Sequence, residues 1–556
     1  MDDSATDSKA YASFETHAYP ALALDPPPGG SLTHRLDRLV AGTTSRLSPI
    51  LIKEARQSIK SRQFLITFFV LLTASLLWMA MAVLTSVPSI WYLPSGQWLF
   101  AGFYWLLAVP VFGLVPLAAF RSLAAELTDD TFELLSITEL DAGQIVRGKF
   151  AAACLQMSLY AAAVTPSLAF SYLLGGIAIG DVALVLVMVA LAGVTLTAAG
   201  LAMAPVFRGT MGQSFLMLAL VATIFIAQSS VATMVFAGVI NEQITADPQT
   251  WWVTAGSAVC LGVVSMLLLS AAAAGIAPVT ENRSTAVRVW MLALQSAWIA
   301  GTVGIAIMVD DYEPINFAMM MLCGFWVLGA AFLMSERREL SPRIRRGIPD
   351  SRFGSAFLMP LYPGPTSAYV FCVASALAAV LVLGVGGSIL SAGNMPETVP
   401  VAAAAMYGGL ILVHVGVLHI AAIAFPRFVT RGRRLHPVAM LGVALASVIA
   451  MVMFSIGGTI VTLGYLDDDF NFFAAFEFFW ATSCVFDYRG INESLVWGPA
   501  ALGTAVALLN LAMAGDLFKY RKVLTPPAVT REEGSDTRQP TDAPSEPDRP
   551  LDGLAG

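Results

Sequence analysis

The residues of this chain that could take part in chemistry are few, and two histidines stand out among them. His414 and His419 lie inside an apolar segment, where ionisable groups are costly and often functional. Their spacing of five residues places the two rings about 140° apart around a helix, which does not suit joint binding of one metal ion. Hydrogen-bonded core histidines are the favoured interpretation, and a proton relay or metal site is the alternative.

The common catalytic signatures are missing from the sequence. It contains no Gly-x-x-x-x-Gly-Lys-Ser/Thr phosphate-binding loop, no His-Glu-x-x-His and no Cys-x-x-Cys. Three aspartates at 467–469 offer carboxylates for a divalent cation, but a solvated acidic turn is the simpler interpretation. No acidic residue lies deep in an apolar segment, which argues against an ion-coupled carrier. We therefore expect no catalytic residues, and no metal or cofactor bound by this chain.

A long polar segment, residues 121–149, lies between two apolar segments and carries the most informative side chains. Asp130 with Glu133 has the spacing of a helix capping box. Phe132 and Leu135 would share one face of the short helix that follows. Apolar side chains exposed on a polar loop are typical of a docking surface. The alternative is that they contact the membrane surface.

The rest of the chain has the composition of a membrane protein. It has 556 residues, 57% hydrophobic and 12% charged, with a mean hydropathy of +0.73, whereas soluble domains carry about 25% charged residues. The net charge is −7 and no basic domain indicates nucleic acid. The sequence predicts an all-α polytopic membrane protein with about twelve transmembrane helices. The predicted spans are 64–84, 99–120, 150–174, 182–207, 213–236, 251–278, 289–309, 315–334, 368–392, 400–424, 438–464 and 497–518.

The distribution of Lys and Arg predicts the orientation of these spans. With both termini in the cytoplasm, 30 of the 31 basic residues fall on the cytoplasmic side and only Arg489 falls outside. Segment 121–149 is then cytoplasmic. The last outer loop, 465–496, carries eight aromatic residues between Phe470 and Phe486. We expect it to be anchored at the membrane interface, with a lid or a docking surface as the alternative.

Residues 48–62, just before the first span, predict an amphipathic helix. An apolar stripe runs beside a basic stripe of Lys53, Arg56 and Lys60. Such a helix suits the surface of an anionic membrane. The alternative is an ordinary basic flank of the first span.

The twelve spans divide by position into two halves of six. Loop 335–366 holds the place in the second half that 121–149 holds in the first, but its sequence does not echo it. The predicted domain order is a disordered cytoplasmic tail (1–45), an interfacial connecting helix (46–63), a six-span unit (64–288), a second six-span region (289–520) and a second disordered tail (521–556).

Three segments within residues 46–290 resemble the type-2 ABC transporter permeases. The connecting helix of that family has the pattern Asn-Pro-Val-x-x-Lys-Glu-x-Arg, and Lys53, Glu54 and Arg56 match it, with Ser48 in place of Asn. Glu281-Asn282-Arg283 after span six is also similar. The family's Glu…Thr-x-Glu-Leu-Leu…Ile-Val-x-Gly-Lys pattern is matched by Glu126, Thr131, Glu133, Leu134, Leu135, Gly148 and Lys149, with Phe132 inside it.

The resemblance implies that loop 121–149 is a coupling helix seated in a groove of a separate ATPase subunit. The chain would then be a permease subunit and not an enzyme, with ATP and magnesium bound by the partner. We expect it in the cytoplasmic membrane of a bacterial-type cell, where it would export a substrate. The expected partners besides the ATPase are the lipid bilayer and either a second copy of the chain or another permease. The alternatives are a twelve-span secondary transporter and a membrane-embedded enzyme.

Overall fold

The computed structural model describes residues 49–87, 96–128, 141–207, 209–242, 247–278, 281–336, 344, 358–390, 398–424, 430–431, 434–435, 437–463, 473–476 and 493–513. These residues are helical almost throughout, which confirms the predicted all-α class. One small exception is a two-stranded antiparallel pair, β1 (Thr430–Arg431) and β2 (Arg434–Leu435), in which Thr430 lies opposite Leu435. The predicted tails 1–45 and 521–556 lie outside the described residues.

Seven helices form the first half of the described chain. A serine at position 61 separates the first two, because its side chain caps α2 by accepting a hydrogen bond from the Phe64 N–H at 3.1 Å. The helices are α1 (Pro49–Ile59), α2 (Arg62–Ser86), α3 (Gly96–Ala108, π-helical Val109–Leu114, Val115–Thr128), α4 (Ala142–Leu173), α5 (Ile179–Met203), α6 (Thr210–Thr233, then π-helical Met234–Glu242) and α7 (Pro248–Ile276).

Six helices form the second half. A short 3-10 turn, Met359–Leu361, precedes the third of them, and another, Ala474–Phe476, precedes the last. The helices are α8 (Thr285–Val309), α9 (Glu313–Met334), α10 (Pro365–Leu390), α11 (Thr398–Ala424), α12 (Pro437–Leu463) and α13 (Glu493–Met513).

The helices α2 to α12 are all long and apolar enough to cross a membrane, which makes eleven such helices among the described residues. The apolar part of α13, Trp497–Met513, is shorter. The described helices therefore fit a polytopic membrane protein, with one helix for each predicted span.

The largest departure from the predicted boundaries concerns segment 121–149. Helix α3 continues to Thr128 and α4 begins at Ala142, so both ends of this segment are helical. The extension of α3 is stable because Leu123, Ala124 and Leu127 form a buried face on it. Glu126 and Lys149 therefore stand on two neighbouring helices, and only the residues between those helices can form a loop.

A π-helical segment interrupts α3 at Pro110. The Val115 N–H donates to the Pro110 carbonyl, five residues back, where an α-helix would bond four residues back. A proline inside a helix lacks an N–H and crowds the preceding turn, and the wider π turn accommodates this. At Pro110 the helix type of α3 thus changes locally.

The two halves have separate hydrophobic cores. One buried cluster contains residues of α8 to α12 and the turn at Ala475, and two others contain residues of α2 to α7. Within the first half, α3 packs against α2, α4, α5 and α6, and α5 also packs against α4, α6 and α7. The main contact between the halves is that of α7 with α8, which follow each other in the chain.

Part of the aromatic outer segment 465–496 is described. Phe473 and Phe476 place their rings 5.5 and 5.4 Å from the ring of Phe454 in α12, and Phe476 is buried. These two rings pack against α12, and anchoring of segment 465–496 at the membrane interface stays a prediction. The aspartates 467–469 and Arg489 lie outside the described residues.

Candidate functional site

The site is an ion cluster around a buried lysine, the Lys149 cluster, formed by Lys149, Glu54, Glu126 and Ser122. The Lys149 ammonium donates hydrogen bonds to Glu126 Oε1 at 2.7 Å, to Ser122 Oγ at 2.9 Å and to Glu54 Oε1 at 3.3 Å. Lys149 is only 5% exposed. A buried ammonium needs such partners because it has left water. Three acceptors match its three donors.

Three elements meet at this cluster, and each supplies a part of it. Glu54 comes from α1, Glu126 and Ser122 from the last turns of α3, and Lys149 from the second turn of α4. A second hydrogen bond, from Ser58 Oγ to Gln156 Oε1 at 3.2 Å, also holds α1 against α4. Asp141 occupies the N-cap position of α4, although its side chain makes no capping hydrogen bond. The contacts of Lys149 hold the last turns of α3 against the first turns of α4, on either side of residues 129–141.

The other sequence-predicted residues of the site have different environments. Gly148 is buried in α4 beside Lys149. In α1, the prediction of an amphipathic helix fits: Lys53, Arg56 and Lys60 are exposed around a shallow hollow, whereas Glu54 points toward α4. The proposed docking residues Thr131, Phe132, Glu133, Leu134 and Leu135 lie outside the described residues.

A second ion cluster, the Arg288 cluster, lies in the other half and was not predicted from the sequence. Arg288 in the first turn of α8 is fully buried and donates to Glu336 Oε2 at 2.8 Å and to Ser367 Oγ at 3.3 Å. It also donates to the Pro360 carbonyl and lies over the Phe371 ring, 5.6 Å from its centroid. The Gly364 N–H donates to Glu336 Oε2 at 3.0 Å, which completes the cluster.

One sequence signal does point to this second cluster. An arginine among apolar residues at the start of a membrane span is expensive and needs a partner. Burial raises the pKa of the Glu336 carboxyl, while Arg288 and the Gly364 N–H oppose that rise. The partner itself, 48 residues away, has no sequence signal.

The motif Glu281-Asn282-Arg283 has a structural role beside Arg288. Asn282 Oδ1 accepts hydrogen bonds from the N–H groups of Ser284 and Thr285 at the start of α8. Arg283 donates to the carbonyls of Ala277 and Pro278 after α7. These side chains join the end of one helix to the start of the next.

His414 and His419 are core histidines in α11, and both are fully buried. His414 Nδ1 lies 2.7 Å from the Leu410 carbonyl, and His419 Nδ1 lies 2.7 Å from Asn510 Oδ1 in α13. The His419 ring stacks on Tyr369, with 4.5 Å between centroids. Among the described residues, no group of three His, Cys, Asp or Glu side chains could hold a metal ion.

Comparison of the chain with protein-family models, with curated proteins and with solved structures returns no match. Any assignment of function therefore rests on the residues and on the geometry described above.

Proposed function

We propose that this chain is the membrane permease subunit of an ABC transporter, driven by a separate ATPase subunit that docks on the connection between α3 and α4. The substrate would move outward across the cytoplasmic membrane. The chain would bind no nucleotide itself, because its sequence contains no phosphate-binding loop.

The observation that carries this proposal is the Lys149 cluster. Glu54, Glu126 and Lys149 are residues by which the sequence resembles the type-2 permeases, and they lie far apart in the chain. In the fold they form one ion cluster around the buried lysine. A set of motif residues that converges on one cluster supports a common role more strongly than each short motif does.

The geometry also suggests how a force could pass into the membrane. The Lys149 cluster joins α3 to α4, the helices on either side of residues 129–141. Together with the hydrogen bond from Ser58 to Gln156, it also holds α1 against them. A partner that pushes on this connection would move α3 and α4 together. Helix α3 is among the most buried helices and packs on four others, so its displacement would reach the core of the first half.

Affinity purification from native membranes tests this proposal. A tagged copy of the full chain is expected to co-purify a soluble ATPase with a phosphate-binding loop, and the eluate is expected to hydrolyse ATP. Glu133→Arg should reduce the amount of ATPase recovered, because it reverses a charge on the predicted docking helix. Glu313→Arg, the same change at the exposed start of α9 on the predicted outer side, is the matched control.

Two results would contradict the proposal. One is recovery of the intact chain with no ATPase, and the other is full transport by the purified chain without ATP. The second result would favour the secondary transporter instead.

A further inference from the structure

The second half of the molecule repeats the helix packing of the first. Shifting the helix number by six maps one set of neighbours onto the other. In the first half the packed pairs are α2–α3, α2–α4, α3–α4, α3–α5, α3–α6, α4–α5, α5–α6 and α5–α7. In the second half they are α8–α9, α8–α10, α9–α10, α9–α11, α9–α12, α10–α11, α11–α12 and α11–α13. One contact, of α4 with α7, is strong only in the first half.

The burial of the helices is similar in the two halves, although the fourth helix, α11, is the most buried in the second half at 72%. The second helix of each half is largely buried, with 61% of the apolar window of α3 and 56% of that of α9 covered. The first and fifth helices, α2, α6, α8 and α12, are the most exposed in each half. The matching set of packed pairs, with similar burial of corresponding helices, indicates two copies of one six-helix unit.

The two ion clusters occupy corresponding places in these units. Each contains a carboxylate at the end of the second helix: Glu126 in α3 and Glu336 just after α9. Each carboxylate is bound from the start of the third helix, by Lys149 in α4 and by the Gly364 N–H before α10. A third partner, itself charged, comes from α1, just before the first unit, in one cluster, and from α8, the first helix of the second unit, in the other.

The identity of this third partner explains why the repeat of the six-helix unit is not visible in the sequence. In the Lys149 cluster it is the acid Glu54 in α1, and the cation is on the third helix. In the second unit the cation, Arg288, is on the first helix, and the third helix contributes the Ser367 hydroxyl. The charges have changed places while the arrangement of helices has stayed. A residue-by-residue comparison of the halves therefore finds no echo.

We propose that the chain carries two ATPase-docking ends, one beside the Lys149 cluster and a second beside the Arg288 cluster, so that one chain engages two ATPase subunits. This inference rests on the proposed function. The second end includes Ser335 and Glu336 after α9 and the turn Met359–Leu361 before α10. A single chain would then form the whole permease, without a second copy.

The mass of the purified complex tests this inference. Native mass spectrometry of the wild-type complex is expected to show one permease chain with two ATPase subunits. A complex of two permease chains with two ATPase subunits would overturn the inference and leave the proposed function standing. Recovery of no ATPase at all would overturn the proposed function itself.

Photo-crosslinking locates the second end without a destabilising substitution. A photo-reactive amino acid is placed at the exposed Ala125 near the end of α3, at Ser335 after α9, or at the exposed Glu313 as the control. We expect ATPase adducts from Ala125 and Ser335, and none from Glu313. Adducts from Ala125 alone, or only lipid adducts from Ser335, would overturn the inference.

Discussion

Both ion clusters join the end of the second helix of a unit to the start of the third, but they do so with different charged groups. In the Lys149 cluster a single ammonium binds two carboxylates, which are 16% and 24% exposed. In the Arg288 cluster a fully buried guanidinium binds one carboxylate and neutral oxygens, and its flat face covers an aromatic ring. An arginine fork can serve several fixed acceptors, whereas a lysine acts as a compact charge. The first cluster can thus lose one acid and stay paired, but the second cannot.

The chain next to each cluster differs in charge as well. Residues 129–140 contain four acidic side chains and no basic one, whereas residues 337–352 contain six arginines and two acids. If both proposed ends dock ATPase subunits, their opposite charges need grooves of opposite charge on the partners. This difference favours two non-identical ATPase subunits over two copies of one.

Arg288→Met is expected to have the largest effect on stability. It leaves Glu336 without its cation, and it also leaves the Pro360 carbonyl and the Ser367 hydroxyl without a donor. Loss of one partner of a buried ion pair costs about 3–5 kcal/mol. Denaturant titration of the protein in bicelles measures this. Arg121→Met, at an exposed arginine whose contact is with the Met217 sulfur, is the control and should cost less than about 0.5 kcal/mol.

Arg288→Lys tests whether the cation of the Arg288 cluster must be an arginine. A lysine cannot place donors on Glu336, Ser367 and Pro360 in the geometry of the guanidinium, so we expect recovery of less than half of the lost stability. Full recovery would contradict the distinct roles assigned to the two cations.

Lys149→Met should cost less, about 2 kcal/mol, because both carboxylates it leaves behind are partly exposed and can be hydrated. Here Lys149→Arg is expected to restore most of the stability, since a positive charge near two acids is the main requirement. The same titration reports both variants. A cost larger than that of Arg288→Met would reverse the proposed order of the two clusters.

The two acids of the first cluster should show strong coupling. Glu54→Gln and Glu126→Gln are each expected to cost less than about 1 kcal/mol, because Lys149 keeps the other carboxylate. The double variant should cost more than the sum, by about 1 kcal/mol. A double-mutant cycle of unfolding free energies measures this term. Strict additivity would show that the two acids do not share the lysine.

The smallest functional effect is expected at the histidines, which the second core has and the first lacks. His414→Gln and His419→Gln should leave ATP-driven transport within about two-fold of wild type, because both rings make structural contacts inside the core. Transport into inverted vesicles, normalised to folded protein, measures this. A transport rate more than ten-fold below wild type, in either variant and at wild-type stability, would instead favour a proton relay or a membrane-embedded enzyme.

Much of the fold was predictable, because length, hydropathy and the position of Lys and Arg identify membrane spans one by one. The ends of α3 and α4 were not, because buried side chains such as Leu123 and Leu127 extend the helices into a polar stretch. The three charged residues of the Lys149 cluster were named from the sequence but Ser122 was not, and the contact among them depends on three elements packing together. The Arg288 cluster was missed, since its acid lies 48 residues from its base in the chain.

The most direct test of the central claim is the amount of ATPase that co-purifies with the Glu54→Gln/Glu126→Gln variant. We expect this double variant to recover roughly ten-fold less ATPase per folded chain than wild type, the equivalent of about 1.4 kcal/mol in docking free energy. The Arg121→Met control should recover the wild-type amount. Equal recovery by the double variant and wild type would show that the Lys149 cluster does not position the docking connection.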